Sequence, residues 1–143
     1  MNLVVDTNSL EAILLDKKEE VFKKCHVIYI PPCVEKELKG VLSRAHLAQL
    51  RKSIHAAIDE FKSMRKFNVK RPHARLPEKL KKALIKAGAD ECDMNIVRLA
   101  LERKKKSGKV IIITRNKEHF QRVPEVITHV GGRENIIFPE EYN

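Results

Sequence analysis

Residues 109–116, Lys-Val-Ile-Ile-Ile-Thr-Arg-Asn, join an apolar run to a polar segment that follows it directly. The β-branched run Val110–Ile113 is typical of a buried strand. Two further strands are predicted upstream, at residues 2–5 and 26–30, and helical patterns follow each of them. Strands that alternate with helices indicate an α/β protein, a three-layer α/β/α sandwich with a mostly parallel central sheet.

Helices are predicted between the strands wherever apolar side chains recur at i, i+3 and i+4. The predicted helices are residues 9–15, 19–25, 33–42, 46–64, 78–87, 91–105 and 117–122. Ser9 and Asp90 are the residues expected to cap the first of these helices and the helix at 91–105. The stretch 66–77, which contains two prolines, is predicted to be a loop, and residues 126–130 and 136–138 are predicted to be short final strands.

Length and composition favour one globular domain over residues 1–143, because 43% of the residues are hydrophobic. The 29 Lys and Arg residues outnumber the 19 Asp and Glu residues, which gives a net charge of +10. This excess favours an anionic partner, either nucleic acid or an acidic protein. Lys and Glu enrichment also marks thermophiles, so charge alone leaves that alternative open.

The three cysteines, Cys25, Cys33 and Cys92, are odd in number and lack the spacing of a metal site. With no signal peptide recognisable at the N-terminus, they are expected to be reduced thiols of a cytoplasmic protein. Apolar runs are no longer than about five residues, whereas a membrane span needs about 20. No membrane partner is therefore expected.

Four polar residues lie beside apolar runs, near the points where predicted strands or helices begin or end: Asp6, Glu37, Asp93 and Asn116. The carboxyl ends of parallel strands line a common crevice, so these side chains are expected to lie close together. Oxygen ligands of this kind suit Mg²⁺ or Mn²⁺. Taken singly, each residue also has a local explanation as a turn, a cap or a partner of the helix dipole.

A basic segment spans residues 62–82, which hold nine Lys or Arg residues and one acid, Glu78. Such a segment predicts phosphate binding with strong salt dependence and little sequence preference. A solvated basic face is the alternative. Phe67 is the one aromatic residue in the segment that is available for stacking on a base.

Four stretches of the chain, in this order and spacing, resemble PIN-domain proteins. They are residues 4–8 (Val-Val-Asp-Thr-Asn), residues 29–38 with Glu37, residues 88–93 (Gly-Ala-Asp-Glu-Cys-Asp) and residues 111–116 with Phe120. The Thr114-Arg115-Asn116 version of the last stretch is similar to the VapC-like toxin branch, although the family often has an aspartate at the position of Asn116. His119 stands where such toxins often carry another aspartate.

The resemblance implies a Mg²⁺- or Mn²⁺-dependent endoribonuclease, either the toxin of a toxin–antitoxin pair or an RNA-processing enzyme. Asp6, Glu37 and Asp93 would be the metal ligands, and Asn116 would complete the catalytic set. The implied partners are an RNA substrate, an antitoxin protein and a second copy of the chain. The expected RNA contacts are Lys70, Arg71, Arg75 and Arg115. Two alternatives stay open: a catalytically weak RNA-binding module, and a subunit that binds an acidic protein.

Overall fold

The computed structural model describes residues 1–44 and 46–143, together with the backbone of Ala45. The strands are β1 (Asn2–Val5), β2 (Val27–Ile30), β3 (Phe67–Val69), β4 (Val110–Ile113) and β5 (Ile136–Ile137). The helices are α1 (Thr7–Asp16), α2 (Lys18–Lys23), α3 (Pro32–Leu42), α4 (Ala48–Ser63), α5 (Glu78–Lys86), α6 (Glu91–Ser107) and α7 (Pro124–Val130). Short 3₁₀ turns lie at Lys117–His119, Arg133–Asn135 and Pro139–Glu141.

The five strands form one sheet in the order β3-β2-β1-β4-β5, and each neighbouring pair is parallel. The chain winds from β1 outward to β3, then returns to the other side of β1 for β4 and β5. The strand order therefore reverses between β1 and β4, where open α/β sheets bind ligands beyond the carboxyl ends of the strands. The predicted α/β class with a parallel central sheet is confirmed.

Helices cover both faces of the sheet. Helix α6 packs against β1 and β4 with α7 beside it, while α1, α3 and α4 pack on one another. The strands between these layers are almost wholly buried, and Leu3, Val4 and Val5 of β1 have no exposed surface. Each such side chain contributes about 1.5–3 kcal/mol through removal from water. No helix in the described residues has both the length and the apolar character needed to cross a membrane.

Two sequence predictions about secondary structure are wrong, and the helix predicted at 117–122 is only the 3₁₀ turn Lys117–His119. The predicted loop at 66–77 contains strand β3, which is too short for a clear sequence pattern and is held by hydrogen bonds to its neighbour β2. The predicted strand at 126–130 is instead helix α7, in which Val126 and Val130 are buried one turn apart. Its β-branched residues favour a strand, but Pro124 at the helix start and Gly131 at its left-handed end (φ 95°) are the helix signals.

The prediction of three reduced thiols is also wrong. Cys33 and Cys92 form a disulfide with their Cα atoms 5.9 Å apart, a separation usual for such bonds. The pairing joins residues 59 positions apart, which the sequence spacing could not reveal. Cys25 alone is free, and it is exposed. The expectation of a cytoplasmic location loses the support it drew from reduced thiols.

Candidate active site

A small polar cavity of about 140 Å³ lies at the carboxyl edge of the sheet, beside the point where the strand order reverses. All four candidate residues line it. The full lining is Asp6, Thr7, Asn8, Glu37, Asp90, Cys92, Asp93, Ile96 and Asn116. The structure thus brings together side chains that the sequence separates by up to 110 residues. We call this cavity the carboxylate cleft.

Asp6 is held rigidly at the end of β1. It is only 6% exposed, and it caps α1 because its Oδ1 accepts a 2.9 Å hydrogen bond from the backbone N–H of Ser9. The expected cap, Ser9, therefore lies inside the helix. Oδ2 of Asp6 accepts a 2.6 Å bond from the hydroxyl of Thr114 and a 3.3 Å bond from the backbone N–H of Arg115.

Asp93 lies in the first turn of α6 and is 8% exposed. It forms a capping box with Asp90, which caps the helix as predicted: each side chain accepts a hydrogen bond from the backbone N–H of the other. Nδ1 of His119 lies 3.0 Å from Oδ2 of Asp93. Burial raises the pKa of Asp93 above its usual value, and the backbone bond from Asp90 and the proximity of His119 offset part of that rise.

Glu37 approaches the cleft from the middle of α3 and is more exposed than the two aspartates. Its Oε2 accepts a 2.7 Å hydrogen bond from the hydroxyl of Thr7, the first residue of α1. Asn116 enters from the end of β4, where its backbone N–H donates a 2.9 Å bond to the Thr114 hydroxyl oxygen. Four different parts of the chain therefore supply the predicted site residues.

The donor chemistry of the cleft fits a hard divalent cation. Among the described residues, Oε1 of Glu37 and Oδ1 of Asp93 accept no hydrogen bond from the protein. A cation would also offset the burial of the Asp93 carboxylate. No three described His, Cys, Asp or Glu side chains form a group that could hold an ion. Mg²⁺ is usually bound by one or two carboxylates and keeps several waters. A cleft in which the carboxylates do not form a group of three can therefore still bind it.

The expected RNA contacts Lys70, Arg71 and Arg75 follow the end of β3, so their segment starts at the same edge of the sheet as the cleft. Arg71 and Arg75 are exposed, and Lys70 is half-buried. Phe67 is only 6% exposed within the core, so it is unavailable for stacking on a base.

We call residues 70–77, between β3 and α5, the basic loop, and its backbone is hydrogen-bonded to side chains of α6. The guanidinium of Arg98 donates hydrogen bonds to the carbonyl oxygens of Ala74 at 2.8 Å and Pro72 at 3.4 Å. One turn further along α6, Oε1 of Glu102 accepts a 3.3 Å bond from the backbone N–H of His73. The loop therefore has a defined path although it carries mostly exposed charges.

Arg115 lies beside the cleft, but its guanidinium is already engaged. It forms a 2.8 Å ion pair with Glu140 of the C-terminal segment, and its Nε donates to the carbonyl oxygen of Asn8 at 3.3 Å. An RNA phosphate would have to compete with the Glu140 carboxylate for this side chain.

Several residues that shape the cleft were not among the predicted site residues. Thr114 and Thr7 hold Asp6 and Glu37 by hydrogen bonds, and His119 contacts Asp93. Thr114 could have been found, because it is a polar residue that ends the apolar run of β4. Thr7 and His119 lie at positions marked by the resemblance, but their contacts with Glu37 and Asp93 depend on tertiary packing.

Comparison with solved structures finds the same architecture elsewhere. VapBC2 from Rickettsia felis, in a structure bound to a DNA fragment from the promoter, matches with a TM-score of 0.59 and 20% identity over 88% of this chain and 96% of that chain. PAE2754 from Pyrobaculum aerophilum matches with a TM-score of 0.55 and 13% identity over 98% of this chain and 85% of that chain. No protein-family model matches the sequence, and no curated protein matches it significantly.

The similarity to these structures extends over most of the chain and confirms the fold that the sequence motifs predicted. At 20% and 13% identity the likeness concerns the fold alone. This chain has a PIN-like fold, similar to the fold found in the VapBC2 structure.

Proposed function

We propose that this chain is a metal-dependent endoribonuclease that hydrolyses phosphodiester bonds in RNA. The observation that carries the proposal is the carboxylate cleft, in which Asp6, Glu37, Asp93 and Asn116 line one cavity at the carboxyl edge of the sheet. The PIN-like fold adds support, because the similarity to the VapBC2 structure extends over 88% of this chain.

Asp6, Glu37 and Asp93 would bind Mg²⁺ or Mn²⁺, one or two of them directly and the rest through waters that the ion retains. When bound, such an ion would lower the pKa of a water molecule that it holds and would neutralise charge that develops on the phosphate. Asn116 contributes a neutral amide that can orient a water or a phosphate oxygen by hydrogen bonding. Thr114 holds the Asp6 carboxylate in place, and the capping box does the same for Asp93. The protein thereby fixes its oxygen atoms before the substrate arrives.

The basic loop supplies the affinity for RNA. Lys70, Arg71 and Arg75 carry positive charge at the edge of the sheet that holds the cleft. Contacts to phosphates position a nucleic acid without reading its bases. Arg115 would join them once a phosphate displaces Glu140. These residues bind the substrate, while the carboxylates serve the chemistry.

The cleavage assay uses purified protein, a structured RNA, and Mn²⁺ or excess chelator. We expect cleavage with Mn²⁺ and none with chelator. Asp6→Asn and Asp93→Asn should each lower the rate by about 100-fold or more, because a metal site supplies several kcal/mol of transition-state stabilisation. Asp16→Asn, at the exposed end of α1, is the matched control and should cleave like the wild type. Cleavage at the wild-type rate by a folded Asp6→Asn protein would contradict the proposal.

We further propose that the chain is the toxin of a toxin–antitoxin pair, that it binds an antitoxin protein, and that two copies of it associate. The similarity to VapBC2 supports this choice over a free-standing RNA-processing enzyme. Induced expression should arrest bacterial growth, and the Asp6→Asn variant should not. Growth arrest by both proteins would show that toxicity does not depend on the carboxylate cleft.

A catalytically weak RNA-binding module is the second candidate. It is favoured by the neutral Asn116 and by the open spacing of the acidic side chains. RNA binding without cleavage in Mn²⁺ would support this module. A protein that neither cleaves nor binds RNA would instead be a candidate subunit for an acidic partner.

A further inference from the structure

The two helices that bring Glu37 and Asp93 to the carboxylate cleft are joined by a covalent bond. Cys33 lies in the first turn of α3, and Glu37 follows one turn later on the same side of the helix. Cys92 is the neighbour of Asp93 in α6 and itself lines the cleft. The disulfide between Cys33 and Cys92 therefore spans from one carboxylate-bearing helix to the other at the site itself.

The other contacts of the two carboxylates do not fix their mutual distance. Among the described residues, Glu37 has one side-chain hydrogen bond, which it accepts from Thr7 of α1. Asp93 bonds to Asp90 and His119. None of these bonds joins α3 to α6, so apart from packing between the two helices the disulfide is the link that holds α3 to α6.

We propose that the Cys33–Cys92 disulfide is a positioning element of the carboxylate cleft, so that its reduction weakens the binding of a divalent cation there. This inference rests on the proposed metal-dependent function. With the bond in place, α3 cannot move Glu37 away from Asp93. Without it, Glu37 is an exposed side chain on a helix held by packing, and the cation loses a well-placed ligand.

The chemistry is thiol–disulfide exchange with a small dithiol. One thiolate of the reductant attacks a sulfur atom of the Cys33–Cys92 bond and forms a mixed disulfide. The second thiol of the reductant then closes its own disulfide, and Cys33 and Cys92 each end with one added proton. The two electrons come from the dithiol, and an oxidised dithiol reverses the reaction. Cys92 lines the cleft and is only half-buried, which gives a small thiol access.

The first measurement is a thiol count on protein that is purified without reductant and then unfolded. We expect one thiol in the wild type, from Cys25, and none in Cys25→Ser. Three thiols in the unreduced wild type would overturn the proposal. Cys25→Ser is the matched control throughout, because its residue is exposed and outside the cleft.

The second measurement is Mn²⁺ binding by calorimetry, for the oxidised wild type, the reduced wild type and Cys33→Ser/Cys92→Ser. It is made well below the melting temperature of each protein. We expect binding to weaken by roughly tenfold on reduction and in the double variant, as for other groups that orient metal ligands. Reduction should weaken Mn²⁺ binding by Cys25→Ser by the same factor as it does in the wild type. RNA affinity in chelator should not change, which separates loss of positioning from general loosening.

Equal Mn²⁺ affinity in the oxidised and reduced proteins would overturn the positioning role and leave the proposed nuclease function standing. An oxidised wild type that binds no Mn²⁺ and cleaves no RNA would overturn both.

Discussion

The hydroxyl of Thr114 donates a 2.6 Å hydrogen bond to Oδ2 of Asp6, although 108 residues separate the two along the chain. Both side chains are buried, with 0% and 6% exposure. The same hydroxyl oxygen accepts the backbone N–H of Asn116. One buried hydroxyl thus fixes the end of β1 against the end of β4, at the place where the strand order reverses.

Replacing Thr114 with Val should destabilise the protein and impair the cleft together. Valine keeps the shape of threonine but leaves Asp6 without its shortest hydrogen bond. We expect the free energy of unfolding to fall by about 1.5–3 kcal/mol, the usual contribution of a hydrogen bond to a charged group. Urea unfolding measures this loss, and the cleavage assay should show a slower rate. Thr114→Ser, which retains the hydroxyl, should recover both properties; unchanged stability in Thr114→Val would show that the bond contributes nothing.

Asn116→Asp should tighten the binding of Mn²⁺. The substitution adds a negative charge to a cleft that already contains carboxylates, and the ligand charge count sets affinity at such sites. We expect a gain of about tenfold, or roughly 1.4 kcal/mol, measured by calorimetry. Asn68→Asp, on the exposed side of β3, adds the same charge outside the cleft and is the matched control. An identical titration for both variants would mean that Asn116 does not reach the ion.

Charge reversal in the basic loop should weaken RNA binding without slowing the chemistry. For Lys70→Glu/Arg71→Glu/Arg75→Glu, each lost phosphate contact should reduce the slope of log affinity against log salt by about 0.7. Turnover at saturating RNA should change much less, because uniform binding does not stabilise the transition state selectively.

The matched control for that variant reverses Lys105, Lys106 and Lys109, which are exposed at the opposite edge of the sheet. It carries the same change in net charge, so a long-range charge effect would weaken both variants equally. If both bind RNA like the wild type, the basic loop is a solvated face, and an acidic protein becomes the better partner for it.

Stability should fall in mild acid because of His26. This side chain is 8% exposed, and its Nδ1 lies 2.7 Å from the hydroxyl of Tyr142. Burial, followed by repulsion from the N-terminus and nearby lysines, lowers the pKa of His26 to about 4. In the unfolded chain the pKa is about 6.5, so below that pH the unfolded state binds the additional proton. The free energy of unfolding should therefore decrease as the pH falls from about 6.5 towards 4.

Urea unfolding at a series of pH values tests this expectation. His26→Gln should have a shallower dependence on pH between 6.5 and 4 than the wild type. His55→Gln, at an exposed position of α4, should retain the wild-type slope. Equal slopes for all three proteins would assign the acid sensitivity to other groups.

Local patterns in the sequence were sufficient to predict the sheet centre and four residues of the cleft lining, which are Asp6, Glu37, Asp93 and Asn116. The run Val110–Ile113 is apolar throughout because α6 and its neighbours bury it, and Asn116 could be placed because it follows that run. Strand β3 was not predictable in this way. Only Phe67 of its three residues is buried, and the hydrogen bonds of β3 are made with β2, which is distant in sequence.

The remaining differences arise from tertiary structure. Cys33 and Cys92 appear unrelated until α3 and α6 meet at the same edge of the sheet. Val126, Ile127 and Val130 have side chains that favour strands, but burial of one face against the core selects a helix. Asp90 was predicted only as a helix cap, and its place in the cleft follows from the position of α6 over β1 and β4.

Helix α6 holds two parts of the proposed enzyme in register. Its first turn carries Asp93. Further along the helix, Arg98 and Glu102 form hydrogen bonds with the backbone of the basic loop. The spacing along a rigid helix therefore sets how far the RNA-binding charges lie from the carboxylates. One residue inserted between Asp93 and Arg98 would rotate Arg98 and Glu102 by about 100° around the helix axis relative to Asp93. Leu99 and Ala100, which are buried beyond the insertion, would rotate by the same angle, so both the core and the alignment of the basic loop with the cleft would change.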